Sequence, residues 1–488
     1  MVEYDRLPVI LQRYSFEEKM RVLQYYSKQV MTINGVNLTS GIPLPWELET
    51  FLLFAIKANE YNNNNFGGKN INKFIDMINC IKDHQHPTLF EKGTSIEFAD
   101  STMIALGSTQ FDIQSFIFYK YYRYNYFFSF TSNEIDMSAE FIKKFGIDYN
   151  CFLKLGVTLN FLFSLKIDLN HEILKYAILK YPKATKQLIL SRKEFQEKID
   201  EFSGNNTDNY LYCVRPSNIY PFIENNRIVN IPLPHCITRA ITDSLLYRLT
   251  DNNSKLRTSF GKNVLEKYLF DIIDESNLFD EVLSEREYKT KNGNAKTSDV
   301  MCRKDDNYLF FECKSSVPYA KTRCFDNNSL KNEIDKISND VIQLYNQIRK
   351  EFNVSYNFFT TDTKLDYNNC FGLVVLLEES YISKRLIYEK VAEKLNIKIG
   401  CEIYTWIINH IKICNLYDIE KYAFTGTDIL ESLKKQSTVG NPYDFPLSGF
   451  KLRTLIENKK LYAFKHNLAD NVKDFIDELK EHKLLSNK

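Results

Sequence analysis

Neither sign of charge dominates this sequence: 63 Lys and Arg stand against 62 Asp and Glu, a formal net charge of +1. Binders of nucleic acid usually carry a basic patch or stripe, so any such patch here must be local. The ten cysteines contain no CxxC pair, which removes the signal for a zinc ribbon or a redox motif and suits reduced thiols in a cytoplasmic protein. No Walker loop G-x-x-x-x-G-K-[ST] occurs, and no helicase or methyltransferase motif. The N-terminus "MVEYDRLPVILQRYSFEEKM" has early acids and no uninterrupted apolar core, so it does not read as a secretory signal. The most apolar window, "YNCFLKLGVTLNFLFSLKI" from Tyr149, is broken by Lys154 and Asn160. A spanning helix needs roughly 20 predominantly apolar residues, so a buried helix is expected there and no membrane association.

What is present is a soluble globular composition, 44% hydrophobic and 26% charged, over 488 residues, which is too long for one ordinary core. The spacing predicts a mainly helical region over 1–210, which we expect to serve recognition, sensing or assembly. A connecting hairpin and helix over 211–254 follow, with "YPFIENNRIVNIPLP" turning around Asn225 and Asn226. Three motifs in the helical region have a chemical reading and a packing reading. "EFIKKFGIDYNCFLKLGV" from Glu140, with Gly146 at its turn, is a helical hairpin or a DNA-reading helix-turn-helix. "FYKYYRYNYFF" interleaves Lys120 and Arg123 with aromatics that either fill a core or stack on unpaired bases. "DHQH", with His84 and His86 at i, i+2, does not bring two imidazoles to one helical face, and a surface loop is expected.

Chemistry concentrates in "TSDVMCRKDDNYLFFECKSS", Thr297 to Ser316. The polar "KDDN" is a turn and the flanking runs are strands, a register that pairs Arg303 with Tyr308 and sets Asp299 opposite Glu312. With side chains alternating, Asp299, Met301, Phe310, Glu312 and Lys314 share one face. Like charges directly opposed across a ladder destabilise it, so something positive belongs between the two acids. Lys314, two residues along, cannot do all of this, whereas Mg²⁺ (or Mn²⁺) binds through one or two carboxylates while keeping waters and substrate phosphate. Lys314 is placed to orient a water or stabilise negative charge, a set suited to phosphodiester hydrolysis.

Asp299 followed by Glu312-Cys313-Lys314 on an apolar strand resembles the PD-(D/E)xK nuclease superfamily, whose fold is restriction-endonuclease-like. Ser298 stands where the name-giving proline often is. The helix "GKNVLEKYL", with Thr258 or Ser259 as its cap, is similar to the superfamily's leading helix, and the resemblance gives Glu266 a supporting place at the metal. "KNEIDKISNDVIQLYNQIRKEF" is an amphipathic helix with Ile334, Ile337, Val341, Leu344, Ile348 and Phe352 on one face, and it leads to the apolar strand "FGLVVLLEE". Helix, three strands, helix, strand is the superfamily's order. It implies an α/β domain over 255–390, a mixed central sheet flanked by helices, with a mixed or helical extension over 391–488 packed on it.

The resemblance also implies metal ligation by Asp299, Glu312 and Glu266, catalysis by Asp299, Glu312 and Lys314, and a nucleic-acid substrate, DNA before RNA. Gln343 or Gln347 would position water or phosphate, or merely face solvent; Lys321 and Arg323 would contact backbone phosphate, or belong to a solvated loop. A homodimer would suit double-strand cutting, and defence against phage or plasmids would suit a nuclease fused to a helical region. A binding protein that no longer cleaves, and a ribonuclease, are the rival readings.

Overall fold

The computed structural model describes the chain apart from residues 1, 34, 37, 39–40, 68–70, 91–102, 105, 108–115, 168, 170, 291–292, 316–325, 352–357, 361–365, 440, 447–457 and 486–488. The chain forms two compact units, one of Met1–Thr131, Asp136–Asn252 and Ala463–Lys488, the other of Ser132–Ile135 and Asn253–Tyr462. The expected extension over 391–488 therefore divides, with its residues from 463 grouped in the first unit. No helix among the described residues is long and apolar enough to cross a membrane.

The first unit is mainly helical. Helix α1 (Phe16–Val30) starts where the Ser15 hydroxyl accepts the Glu18 N–H, then a short hairpin of β1 (Met31–Thr32) and β2 (Gly35–Val36) leads to α2 (Pro45–Lys57). The aromatic run is α3 (Ile117–Ser129), and Tyr119, Lys120, Tyr121, Arg123, Tyr124, Phe127 and Phe128 are buried on it. Those seven side chains are core, and base stacking on their rings is excluded, whereas Phe118, Tyr122 and Tyr126 are half-buried. Helices α4 (Met137–Phe145) and α5 (Tyr149–Ser164) are joined at Gly146, whose φ of 76° closes α4 in the left-handed conformation that glycine favours. Leu153, Leu155, Val157, Leu159 and Leu162 bury several sides of α5, so the pair is a core hairpin without an exposed recognition face.

Two local expectations need correction in this unit. "DHQH" lies on a helix, Ile71–Phe90, where His84 stacks on Tyr4 and bonds Asp208 at 3.1 Å; helix continuity outweighed the polar composition. The hairpin of β4 (Phe222–Asn225) and β5 (Ile228–Asn230) turns at Asn226 and Arg227, φ 50° and 66°, one residue beyond the expected pair. Strand β3 (Ile189–Ser191) joins it in parallel as a third strand. Helix α6 (Ile237–Ala240) follows.

The second unit is mixed α/β. Its leading helix begins earlier than expected, as α7 (Ser254–Phe260), because the Asn253 side chain accepts the Leu256 N–H; Thr258 and Ser259 lie inside it. A π-helical stretch, Gly261–Leu265, runs into α8 (Glu266–Ser276), whose Tyr268, Leu269 and Ile272 are buried at the expected spacing. The sheet is built from β6 (Glu281–Ser284), β9 (Val300–Lys304), β10 (Asn307–Lys314), β11 (Cys370–Leu376) and β12 (Ile411–Asn415), in spatial order β12-β11-β10-β9-β6. Pairs β6/β9 and β9/β10 are antiparallel, whereas β10/β11 and β11/β12 are parallel. Strands β7 (Glu287–Thr290) and β8 (Gly293–Lys296) form a separate hairpin.

The β9–β10 register is the expected one, with Arg303 opposite Tyr308, around a two-residue turn whose Asp305 has φ 51°. A parallel pair needs a long crossover, and α9 (Asn327–Asn346) lies in that between β10 and β11. Its Ile337, Val341 and Leu344 are buried, as are all seven residues of β11. Gly372 permits a close fit, since a Cβ there would lie 2.7 Å from Leu344 Cδ2. Helices α10 (Lys384–Leu395), α11 (Glu402–His410) and α12 (Leu416–Thr425) follow, and a further helix, Ile429–Val439, packs on α11.

Candidate active site

The regular β9–β10 pairing stops at Val300–Phe311, and Asp299 continues it with its side chain: Oδ2 accepts the backbone N–H of Cys313 at 2.6 Å. That bond ties Asp299 to the strand carrying Glu312 and Lys314. The residue before it is pinned as well, since the buried Ser298 hydroxyl donates to Gln347 Oε1 at 3.2 Å. Gln347 thus supports the residue before Asp299.

Glu312 is 4% exposed. Its Oε1 accepts from Lys314 Nζ at 3.0 Å and from Gln343 Nε2 at 2.6 Å, while its Oε2 is buried with no hydrogen-bond partner among the described residues. A buried carboxylate oxygen without a donor costs about 1–3 kcal/mol or more, which argues for a group that is not a protein donor. Helix α9 brings Asp340 and Gln343, one turn apart, to the Lys314 ammonium, with Asp340 Oδ1 at 3.6 Å and Gln343 Oε1 at 3.4 Å.

The electrostatics are those of crowded acids. Burial, then Glu312, then Glu266 push the Asp299 carboxyl well above its ordinary range, while the Cys313 N–H opposes them. Burial, then Glu285 and Glu312, push Glu266 up to about 7. Burial raises Glu312 despite Lys314 and Gln343, and burial followed by the pull of Lys314 leaves Asp340 pushed up to about 6. For Lys314 burial acts downward, but Glu312 and Asp340 outweigh it and the ammonium is held above its usual range. It therefore stays charged at neutral pH and acts as a donor, not as a proton acceptor.

Asp299, Glu312 and Glu266 offer oxygen ligands of the kind Mg²⁺ and Mn²⁺ prefer, and Glu312 Oε2 has no hydrogen-bond partner among the described residues. The three do not bring one oxygen each within 4.8 Å of the others; among the described residues, Glu49, His235 and Cys236 are the group of three that does. Of the residues expected at the site, Glu312, Lys314 and Gln343 are joined by hydrogen bonds, Asp299 is tied to their strand through the Cys313 amide, and Glu266 is close enough to raise Asp299 and to be raised by Glu312. Lys321 and Arg323 lie outside the described residues.

Two acids escaped sequence reasoning. Glu285, between β6 and β7, is ion-paired with Lys296 and raises Glu266; Asp340 holds the far side of Lys314. Asp340 had a usable signal, lying three residues before Gln343 and so on the same helical face. Glu285 had none, because its place depends on a hairpin that pairs outside the main sheet. Comparison with family models, curated proteins and solved structures gives no match for this chain.

Proposed function

We propose that the second unit is a metal-dependent nuclease that hydrolyses phosphodiester bonds, with a restriction-endonuclease-like fold of the PD-(D/E)xK type and DNA as its substrate. The observation that carries this reading is the buried Glu312 Oε2, which has no donor among the described residues and sits among carboxylates raised by burial and by one another's charge. Asp299 and Glu312 would hold Mg²⁺ or Mn²⁺, with Glu266 assisting. The ion, when bound, supplies Lewis acidity toward a phosphate oxygen and a water of lowered pKa.

The chain's own residues do the rest. The Cys313 amide fixes one Asp299 oxygen, and Gln343 and Lys314 fix one Glu312 oxygen, so both carboxylates are oriented before substrate arrives. The Lys314 ammonium donates toward negative charge that develops on the phosphate during attack. Asp340 keeps that ammonium aimed and protonated.

The test is a cleavage panel of double-stranded DNA, single-stranded DNA and RNA with Mg²⁺ or Mn²⁺, run beside Lys314→Ala and Glu312→Gln. We expect metal-dependent cutting of DNA by the wild type and a loss of about 100-fold or more in each variant. Cutting that survives both substitutions rejects the assignment. RNA cut in preference to DNA transfers the same site to a ribonuclease.

A further inference from the structure

The first unit contains a cavity that phosphodiester chemistry does not use. It has a volume of about 90 Å³ and is lined by β1, β2, the start of α2, α3, α5 and α6. Lys120, Asn160 and Arg239 reach it among apolar walls that include Val36, Phe118 and Phe161.

Lys120 and Asn160 are held in place and incompletely used. Lys120 is 8% exposed, and its Nζ lies 3.0 Å from Asp243 Oδ1; Arg239 Nε forms an ion pair with the other Asp243 oxygen at 3.3 Å. An ammonium has three donors, and among the described residues Asp243 is the acceptor found for this one. Asn160 is 5% exposed and donates through Nδ2 to Tyr121 Oη at 2.5 Å and Thr238 Oγ1 at 2.8 Å. Its Oδ1 is buried with no hydrogen-bond partner among the described residues. Exchanging the two ends of the amide moves the vacancy to nitrogen and does not remove it.

Aromatic walls beside a fixed ammonium and an unpartnered amide describe a site for a molecule with a charged end and a flat polar body. A metal is the poorer occupant. The neighbouring Glu49, His235 and Cys236 have ligand atoms within 4.8 Å of one another, but Glu49 is held by His235 and Arg215, and His235 Nδ1 by Ser27 at 2.7 Å. We propose that the cavity binds a small organic anion with a planar hydrogen-bonding body, its charge at Lys120 and Arg239 and its polar edge at Asn160. A nucleoside monophosphate and an aromatic carboxylate share this chemistry. The proposal stands independently of the nuclease reading.

Calorimetric titration of the full chain tests it, with adenosine and uridine 5′-monophosphates and phenylacetate as anions, and adenosine, uridine and phenylacetamide as their neutral counterparts. We expect at least one anion to saturate the wild type below about 1 mM and its neutral counterpart to bind at least about tenfold more weakly. Asn160→Leu and Lys120→Gln should each weaken that anion by about tenfold or more. Because Lys120 neutralises a buried acid, Ser164→Phe is a third variant: it fills the cavity from α5 without touching the polar network, and should abolish binding with the fold intact by circular dichroism. Saturation by a nucleotide or by the carboxylate supports the site and names its source. No anion binding at about 10 mM, equal binding of the neutral counterparts, or unchanged binding by Ser164→Phe overturns it.

Discussion

At the residue scale the site separates two roles that its sequence motif runs together. Lys314 is the charged donor, whereas Gln343 steadies Glu312 from the other side by one bond of 2.6 Å. Removing the first deletes a charge that a transition state would use; removing the second deletes an orienting contact. Gln343→Ala should therefore lower turnover by about tenfold, the value of one hydrogen bond to a charged group, while Lys314→Ala costs about tenfold more again. Single-turnover rates at saturating metal check the order, and equal losses would contradict the division of roles. Glu312→Gln is the more diagnostic substitution at the metal, since it keeps the side chain's size and can still accept from Lys314.

At the scale of elements, α9 carries both Gln343 and Asp340, and it packs against Gly372 through Leu344. A Cβ at 372 would lie 2.7 Å from Leu344 Cδ2, so the Leu344 side chain, or the helix that carries it, must shift. Gly372→Ala should destabilise the protein by about 1–3 kcal/mol, read from urea unfolding, and should impair activity beyond the effect of stability alone. Unchanged stability would show that the Leu344 side chain repacks without cost. Much of this architecture was legible. The β9–β10 register followed from side-chain alternation and a polar turn, and the α9 stripe from its spacing of apolar residues. The π-helical stretch before Glu266, the β7–β8 hairpin and the partnership of Asp340 with Lys314 were not legible, because each depends on packing between segments far apart in sequence. The helix around "DHQH" was missed because local polarity was weighed above the helical run that contains it.

For the molecule as a whole, crowding acids together makes stability depend on pH and on cations. Glu266 is raised from an ordinary carboxylate value to about 7, so the folded chain binds a proton that the unfolded chain has released between about pH 4.5 and 7. Over that window this group's contribution to metal-free stability falls as pH rises, and Asp299 and Glu312, also raised, act in the same direction. A cation that binds the ionised carboxylates reverses the trend. Melting temperatures at pH 5.5 and 8, in chelator and in Mn²⁺, should show the larger metal-induced increase at pH 8. The opposite order would mean that ionised carboxylates do not form the binding site.

The most direct test of the central claim is calorimetric titration of the full chain with Mn²⁺ at pH 7, in two buffers of different ionisation enthalpy. We predict saturable binding with net proton release, weakened at least about tenfold by Glu312→Gln. Folded protein that takes up no Mn²⁺, or binds it equally well after that substitution, would contradict the claim that these carboxylates are gathered to hold a cation.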